Sequence, residues 1–225
     1  MKNKGWFFGD SYTYGFNCTK DYPYYHKYSG DLDKKIWPEL VCDSLDLECI
    51  NYGIPGNSNG MILSNILQYI SEFNPGDTVF ISDTFSIRID LFDHDKGVVN
   101  NFPSNILFER EWEGKYLDRF FKNSDDKEVI VDFLHKFRIP SLTAWTWFYR
   151  NQFQNIKKLL DKNGVKCYLW SSEDEHKHKR FQTIVECTKD IFDDHWSFKG
   201  HLDFSKKVLE NIYNNKMVNY IKSSL

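Results

Sequence analysis

Little in this sequence points to a membrane, a secretory route or a bound metal. No apolar run approaches the roughly 18 residues of a membrane span. Gly5-Trp6-Phe7-Phe8 is apolar, but Asp10 follows two residues later, short of the about 7–15 apolar residues of a signal-peptide core. The five cysteines, Cys18, Cys42, Cys49, Cys167 and Cys187, are odd in number and form no C-x-x-C pair. That argues against a zinc knuckle or a redox motif, and the expectation is reduced thiols in a cytoplasmic setting. An excess of charge of either sign is also missing. With 29 basic and 32 acidic residues the net charge is −3, which gives no bulk electrostatic case for nucleic acid and leaves only a local patch open. No internal repeat and no linker interrupts the chain.

What is present is enough apolar material for a core. The 225 residues are 41% hydrophobic, which argues against wholesale disorder and fits one large domain. Aromatics stand out, with 19 Phe, 13 Tyr and 7 Trp. Such rings either fill a core or line a binding surface.

Patterning alternates between strand and helix. Lys4–Phe8 reads as a buried strand ending at Gly9, and residues 12–34 read as a loop. Trp37, Leu40, Val41 and Leu45 recur at helical spacing, with Pro38 in a first turn. Leu47–Asn51 reads as a second strand, and Asn59–Phe73 as a helix with Ile62, Ile66 and Ile70 on one face. Asn74-Pro75-Gly76-Asp77 is a turn before a third strand, Thr78–Ser82. A helix is expected from Pro140 to Lys162, stopped by Asn163-Gly164. Val165–Trp170 is the fourth strand, and Lys199–Ile221 the closing helix. This order predicts an α/β fold, a three-layer α/β/α sandwich around a mostly parallel sheet of about five strands. A single domain over residues 1–225 is expected, with an insertion at about 85–140, where the pattern is mixed and residues 125–138 look helical.

Three stretches carry chemistry, and each also has a plain structural reading. Gly9-Asp10-Ser11 follows the first strand. Ligands of open α/β sheets sit outside the carboxyl ends of strands, so Ser11 stands where a substrate can reach it. The same three residues are common in turns. Asn51-Tyr52-Gly53-Ile54-Pro55-Gly56-Asn57-Ser58-Asn59 follows the second strand. Its glycines let backbone N–H groups approach a developing oxyanion; alternatively Asn57, Ser58 or Asn59 simply caps the next helix. Asp193-Asp194-His195-Trp196-Ser197 precedes the last helix. An imidazole can take the proton of a weak serine nucleophile near neutral pH, and a carboxylate fixes its tautomer. In the plain reading His195 is a loop histidine and Ser197 a helix cap.

Together these stretches resemble the SGNH (GDSL-type) hydrolase family. Gly9-Asp10-Ser11 looks like its first block, Asn51-x-Gly53-x-x-Gly56 like its second, and Asp193-x-His195 with Gly200-His201 like its last. Two departures stand out. Where the family's third block has Gly-x-Asn-Asp, this chain has Ser82-Asp83-Thr84-Phe85, so Thr84 falls at the place of the oxyanion-binding Asn. Asp and His are often three apart in the family, and the residue three before His195 is Phe192. The resemblance implies that Ser11 is the nucleophile, His195 the base and Asp193 its orienter, with Asp194 in reserve. It also implies an oxyanion hole from Ser11 and Gly56, completed by Thr84 or Asn57. No metal and no organic cofactor is implied. The implied activity is a serine esterase acting on a small acyl ester, acetyl in type, on a small molecule or a glycan. An acyltransferase with the same triad, and a silent glycan- or protein-binding module on the same fold, are the competing functions.

The remaining features read plainly. Glu173–Arg180, with His176 and His178, reads as a solvated charged loop without a complete ligand set. Trp145, Trp147, Phe148, Tyr149 and Phe153 crowd one helix and read as core packing, with a lining for an acyl or sugar pocket as the alternative. Arg88 has either an acidic neighbour or a substrate carboxylate as its partner.

Overall fold

The computed structural model describes residues 2–16, 18, 35–86, 88, 90–93, 97–101, 129, 132, 136, 141–171, 181, 183 and 195–214. Its centre is a four-stranded parallel sheet: β1 (Lys4–Gly9), β2 (Glu48–Gly53), β3 (Thr78–Asp83) and β6 (Lys166–Ser171), in the order β2-β1-β3-β6. These are the four strands read from the sequence, and the mostly parallel sheet expected there is present. A separate antiparallel hairpin, β4 (Asp90–Asp93) and β5 (Gly97–Asn101), lies within the stretch expected to be an insertion. The helices are α1 (Ser11–Tyr14), α2 (Trp37–Leu45), α3 (Asn59–Tyr69), α4 (Leu142–Lys162) and α5 (Phe198–Tyr213). A short 3-10 turn, Ile70–Glu72, extends α3.

Alternation along the strands builds two cores, one on each face. Successive strand side chains point to opposite sides. Trp6 and Phe8 of β1, with Val79 and Ile81 of β3, meet Ile62 and Ile66 of α3 and Phe153, Ile156 and Leu160 of α4. Phe7 and Phe80 face the other way and meet Trp37 and Val41 of α2 and Phe204 and Val208 of α5. Phe7 and Phe80 stack with ring centroids 4.5 Å apart. The three-layer α/β/α arrangement follows, since a sheet apolar on both faces must be covered on both.

The amino ends of the strands are fastened by Asp77. Its carboxylate accepts from the Lys4 amide (2.8 Å), the Trp6 indole (3.0 Å) and the Asn74 amide (3.1 Å). The carboxyl ends, at Gly9, Gly53, Asp83 and Ser171, are left for the functional loops. The strand order reverses direction between β1 and β3, which opens the crevice where ligands of such sheets bind.

Candidate active site

Ser11 is the first residue of α1, immediately past β1. Asp10 caps this turn: its Oδ1 accepts from the Tyr12 amide at 3.1 Å. The Ser11 carbonyl takes the Gly15 and Phe16 amides at 3.0 Å each. The Ser11 amide and hydroxyl make no hydrogen bond to a described residue. The stretch expected to be a loop therefore begins with a helical turn, because Asp10 supplies a cap that a propensity reading of Tyr and Gly does not reveal.

The second block comes against the same turn. Asn51 bridges it by donating from Nδ2 to the Thr13 carbonyl (2.8 Å) and accepting the Gly53 amide on Oδ1 (2.9 Å). Gly53 lies so close to α1 that a Cβ there would sit 2.8 Å from the Thr13 carbonyl carbon. Gly56 has φ +77°, a left-handed conformation that glycine adopts without strain, and its amide hydrogen-bonds no described residue. The Asn57 amide bonds to the Ile54 carbonyl (3.1 Å), and its Nδ2 donates to the Gly9 carbonyl (3.2 Å). Ser58 is the helix cap, its hydroxyl accepting from the Met61 amide at 3.1 Å. Asn59 is a clamp: its side chain pairs with both the amide (2.8 Å) and the carbonyl (2.7 Å) of Thr84.

Thr84 follows β3, across the crevice from β1. Its hydroxyl donates to Asp10 Oδ2 at 2.8 Å and accepts from Arg88 Nη1 at 2.7 Å. The proton that an oxyanion would need from Thr84 is thus directed at a carboxylate. Arg88 Nη1 also lies 3.1 Å from Asp10 Oδ2 and 3.0 Å from the Asn57 carbonyl. Arg88 therefore has an acidic neighbour as its partner. Asp10 is 0% exposed and Arg88 8%, so this ion pair is buried directly behind Ser11.

The last block reaches the site from the amino side of α5. The His195 ring lies 5.2 Å from the Tyr12 ring and 4.7 Å from the Phe16 ring, centroid to centroid. Tyr12 is the second residue of the Ser11 turn, and Phe16 lies two residues past its end. Trp196 is fully buried against Tyr12 and Phe204, and its carbonyl accepts from Cys18 Sγ at 3.4 Å. Ser197 caps α5, its hydroxyl accepting from the Gly200 amide at 3.2 Å. Asp193 and Asp194, the expected orienters, lie outside the described residues. His201 is a different kind of histidine. Burial, then the proximity of His195, pushes its pKa down to about 3, and its Nδ1 accepts from the Trp37 amide at 3.4 Å. A neutral imidazole fully inside the protein is a packing element, whereas His195 is half-buried beside the Tyr12 and Phe16 rings.

On the far side of the crevice, Thr146 of α4 donates to the Ser86 hydroxyl at 2.8 Å, and Arg150 Nε lies 3.8 Å from Asp83 Oδ2. Phe153 is buried as expected, but Trp145, Trp147 and Phe148 are exposed. Trp147 is exposed because helical spacing puts it opposite the Phe153–Ile156–Leu160 stripe of α4, whereas Trp145 stacks on Tyr149, which packs against the core. His176 and His178 lie outside the described residues, and no group of three potential metal ligands occurs among those described. No described helix is long and apolar enough to cross a membrane. Cys18, Cys42, Cys49 and Cys167 form no disulfide with one another, and burial pushes the Cys167 thiol up to about 12, which makes it an unreactive interior thiol.

The sequence matches no protein-family model and no curated protein. Among solved structures, one match is a member of the lipolytic protein G-D-S-L family from Veillonella parvula DSM 2008, with 16% sequence identity, a TM-score of 0.37, and coverage of 92% of this chain and 96% of that one.

Proposed function

We propose that the protein is a serine esterase that removes a small acyl group through Ser11. The observation that carries this reading is the setting of Ser11. It stands at the carboxyl end of β1, beside the switch-point crevice, and its hydroxyl is bound to no described residue. The His195 ring is within 5.2 Å of the neighbouring Tyr12 ring. In this reading Ser11 Oγ attacks the ester carbonyl while His195 takes its proton, and His195 then returns that proton to the departing alkoxide. A water molecule, deprotonated by the same imidazole, releases the acyl group and regenerates Ser11. Asp193 orients His195. The Ser11 and Gly56 amides hold the oxyanion, and the second Nδ2 proton of Asn57 takes the place that the committed hydroxyl of Thr84 leaves open. A small acyl ester, on a small molecule or a glycan, is the proposed substrate.

Labelling by a fluorophosphonate probe tests the assignment. The wild-type protein should be labelled at Ser11, and Ser11→Ala should lose both the label and hydrolysis of an acetyl ester while keeping its unfolding midpoint. Equal labelling of the two proteins would rule out Ser11 as nucleophile.

A further inference from the structure

Three loops meet behind Ser11, and a single guanidinium nitrogen touches all of them. Arg88 Nη1 is 3.1 Å from Asp10 Oδ2, the cap of the nucleophile turn. It is 3.0 Å from the carbonyl of Asn57, next to Gly56. It is 2.7 Å from Thr84 Oγ1, which itself donates to Asp10. The side chains on both sides of this ion pair are almost wholly buried, 9% exposed for arginine and 0% for aspartate.

We infer that Arg88 is a positioning residue: it locks the Ser11 turn, the Gly56 loop and the Thr84 loop into one fixed arrangement, so that the nucleophile and the oxyanion amides are set before substrate binds. This inference rests on the esterase reading for its kinetic consequence, and on the hydrogen bonds alone for its structural one. The physical warrant is the cost of the pair. Taking a carboxylate and a guanidinium out of water is expensive, and an apolar pair of similar volume often gives equal or greater stability. What the apolar pair cannot do is hold three separate backbone segments in one geometry. Arginine suits the task because its planar, permanently charged fork has fixed donor directions. Its Nη1 protons are shared among three acceptors that belong to three different segments. Asp10 does double duty, since Oδ1 holds the Tyr12 amide of the nucleophile turn while Oδ2 receives Arg88 and Thr84. A shift of Arg88 is therefore transmitted to the turn that carries Ser11. Misplacement of reacting groups by about 1 Å can cost on the order of a hundredfold in rate.

The test is the double variant Asp10→Asn/Arg88→Met. Removing one partner would strand a buried charge and risk unfolding, whereas removing both leaves none. The asparagine amide keeps an Oδ1 acceptor in the place of the Asp10 carboxylate, so the cap of α1 survives the change. Three quantities are read: the unfolding midpoint, the rate of fluorophosphonate labelling at Ser11, and amide hydrogen exchange over residues 10–16 and 54–58. The expected result is a midpoint near that of wild type, labelling slowed about a hundredfold, an ester KM little changed while kcat falls, and exchange at least about tenfold faster in both segments but not in β1. Wild-type labelling together with wild-type exchange in the folded double variant overturns the inference. If the double variant does not fold, Arg88→Lys decides: it keeps the charge but reaches less far, so a tenfold or greater loss of labelling supports the positioning role and an undiminished rate overturns it. If the wild-type protein itself is not labelled, the esterase reading fails, and the exchange contrast alone then upholds or overturns the brace.

Discussion

At the scale of single residues, the two histidines of the last block show how burial separates roles that look alike in sequence. His201 is inside the second core, and burial lowers its pKa from 6.5 to about 3. The unfolded chain therefore binds a proton that the folded chain refuses between those two pH values. Stability must rise with pH across that window and fall on acidification, with a slope approaching about 1.4 kcal/mol per pH unit for one proton. His201→Asn, whose Oδ1 can stand in for Nδ1 opposite the Trp37 amide, should flatten that part of the curve. Urea unfolding at a series of pH values between 3 and 6.5 measures the difference; a wild-type-to-variant gap that stays constant with pH would mean that His201 titrates alike in both states. The position of Ser11 just past β1 and the capping of α5 by Ser197 were legible in the sequence, because each sits at the end of a recognisable element. The Asp10–Arg88 pair was not. Its members are 78 residues apart, and an arginine within a mixed, aromatic stretch gives no sign that its partner is the residue before Ser11. Nor could periodicity choose among Asn57, Ser58 and Asn59 as the cap, since all three are good capping residues and only the backbone direction decides.

Among elements, the strands and the starts of the long helices were legible to within a few residues, because burial on two faces demands continuous apolar strands and helices with one apolar stripe; the expected end of the closing helix at Ile221 lies outside the described residues. The helical turn α1 was not legible, since four residues are too few for periodicity. Its position depends instead on close approach to β2. The absent side chain at Gly53 makes room for the Thr13 carbonyl and the Tyr14 amide, both backbone atoms that cannot rotate away. Gly53→Ala should therefore push α1 off the end of β2, at a cost of about 1–3 kcal/mol as in other overpacked sites. The displacement also pulls on the Asn51 bridge to Thr13, so the rate of Ser11 labelling should drop under conditions where the variant is still fully folded. Chemical denaturation together with labelling in the absence of denaturant separates the two effects. A variant with wild-type stability and rate would show that β2 and α1 can part without consequence.

Across the whole molecule, the aromatic residues among those described divide into two populations with different physics. Trp6, Phe7, Phe8, Trp37, Phe80, Trp196 and Phe204 fill the two layers on either side of the sheet. Trp196 ties the second core to the Ser11 turn, since it packs on Tyr12 of that turn and on Trp170 and Phe204 of the second core. Trp147 is 62% exposed on α4. Truncating a fully buried Trp loses both its transfer free energy and the contacts around the cavity left behind, whereas truncating an exposed one changes little. Trp196→Ala should therefore lower the unfolding free energy by about 3–5 kcal/mol, and Trp147→Ser should stay within about 0.5 kcal/mol of wild type, both by chemical denaturation. The Trp196 variant should also lose Ser11 labelling early in the denaturation curve, because His195 is held by the residue removed next to it. If Trp147→Ser costs as much as Trp196→Ala, the outer flank of α4 is covered in solution, and the aromatic excess is core on every side rather than core on two faces and open surface on the third.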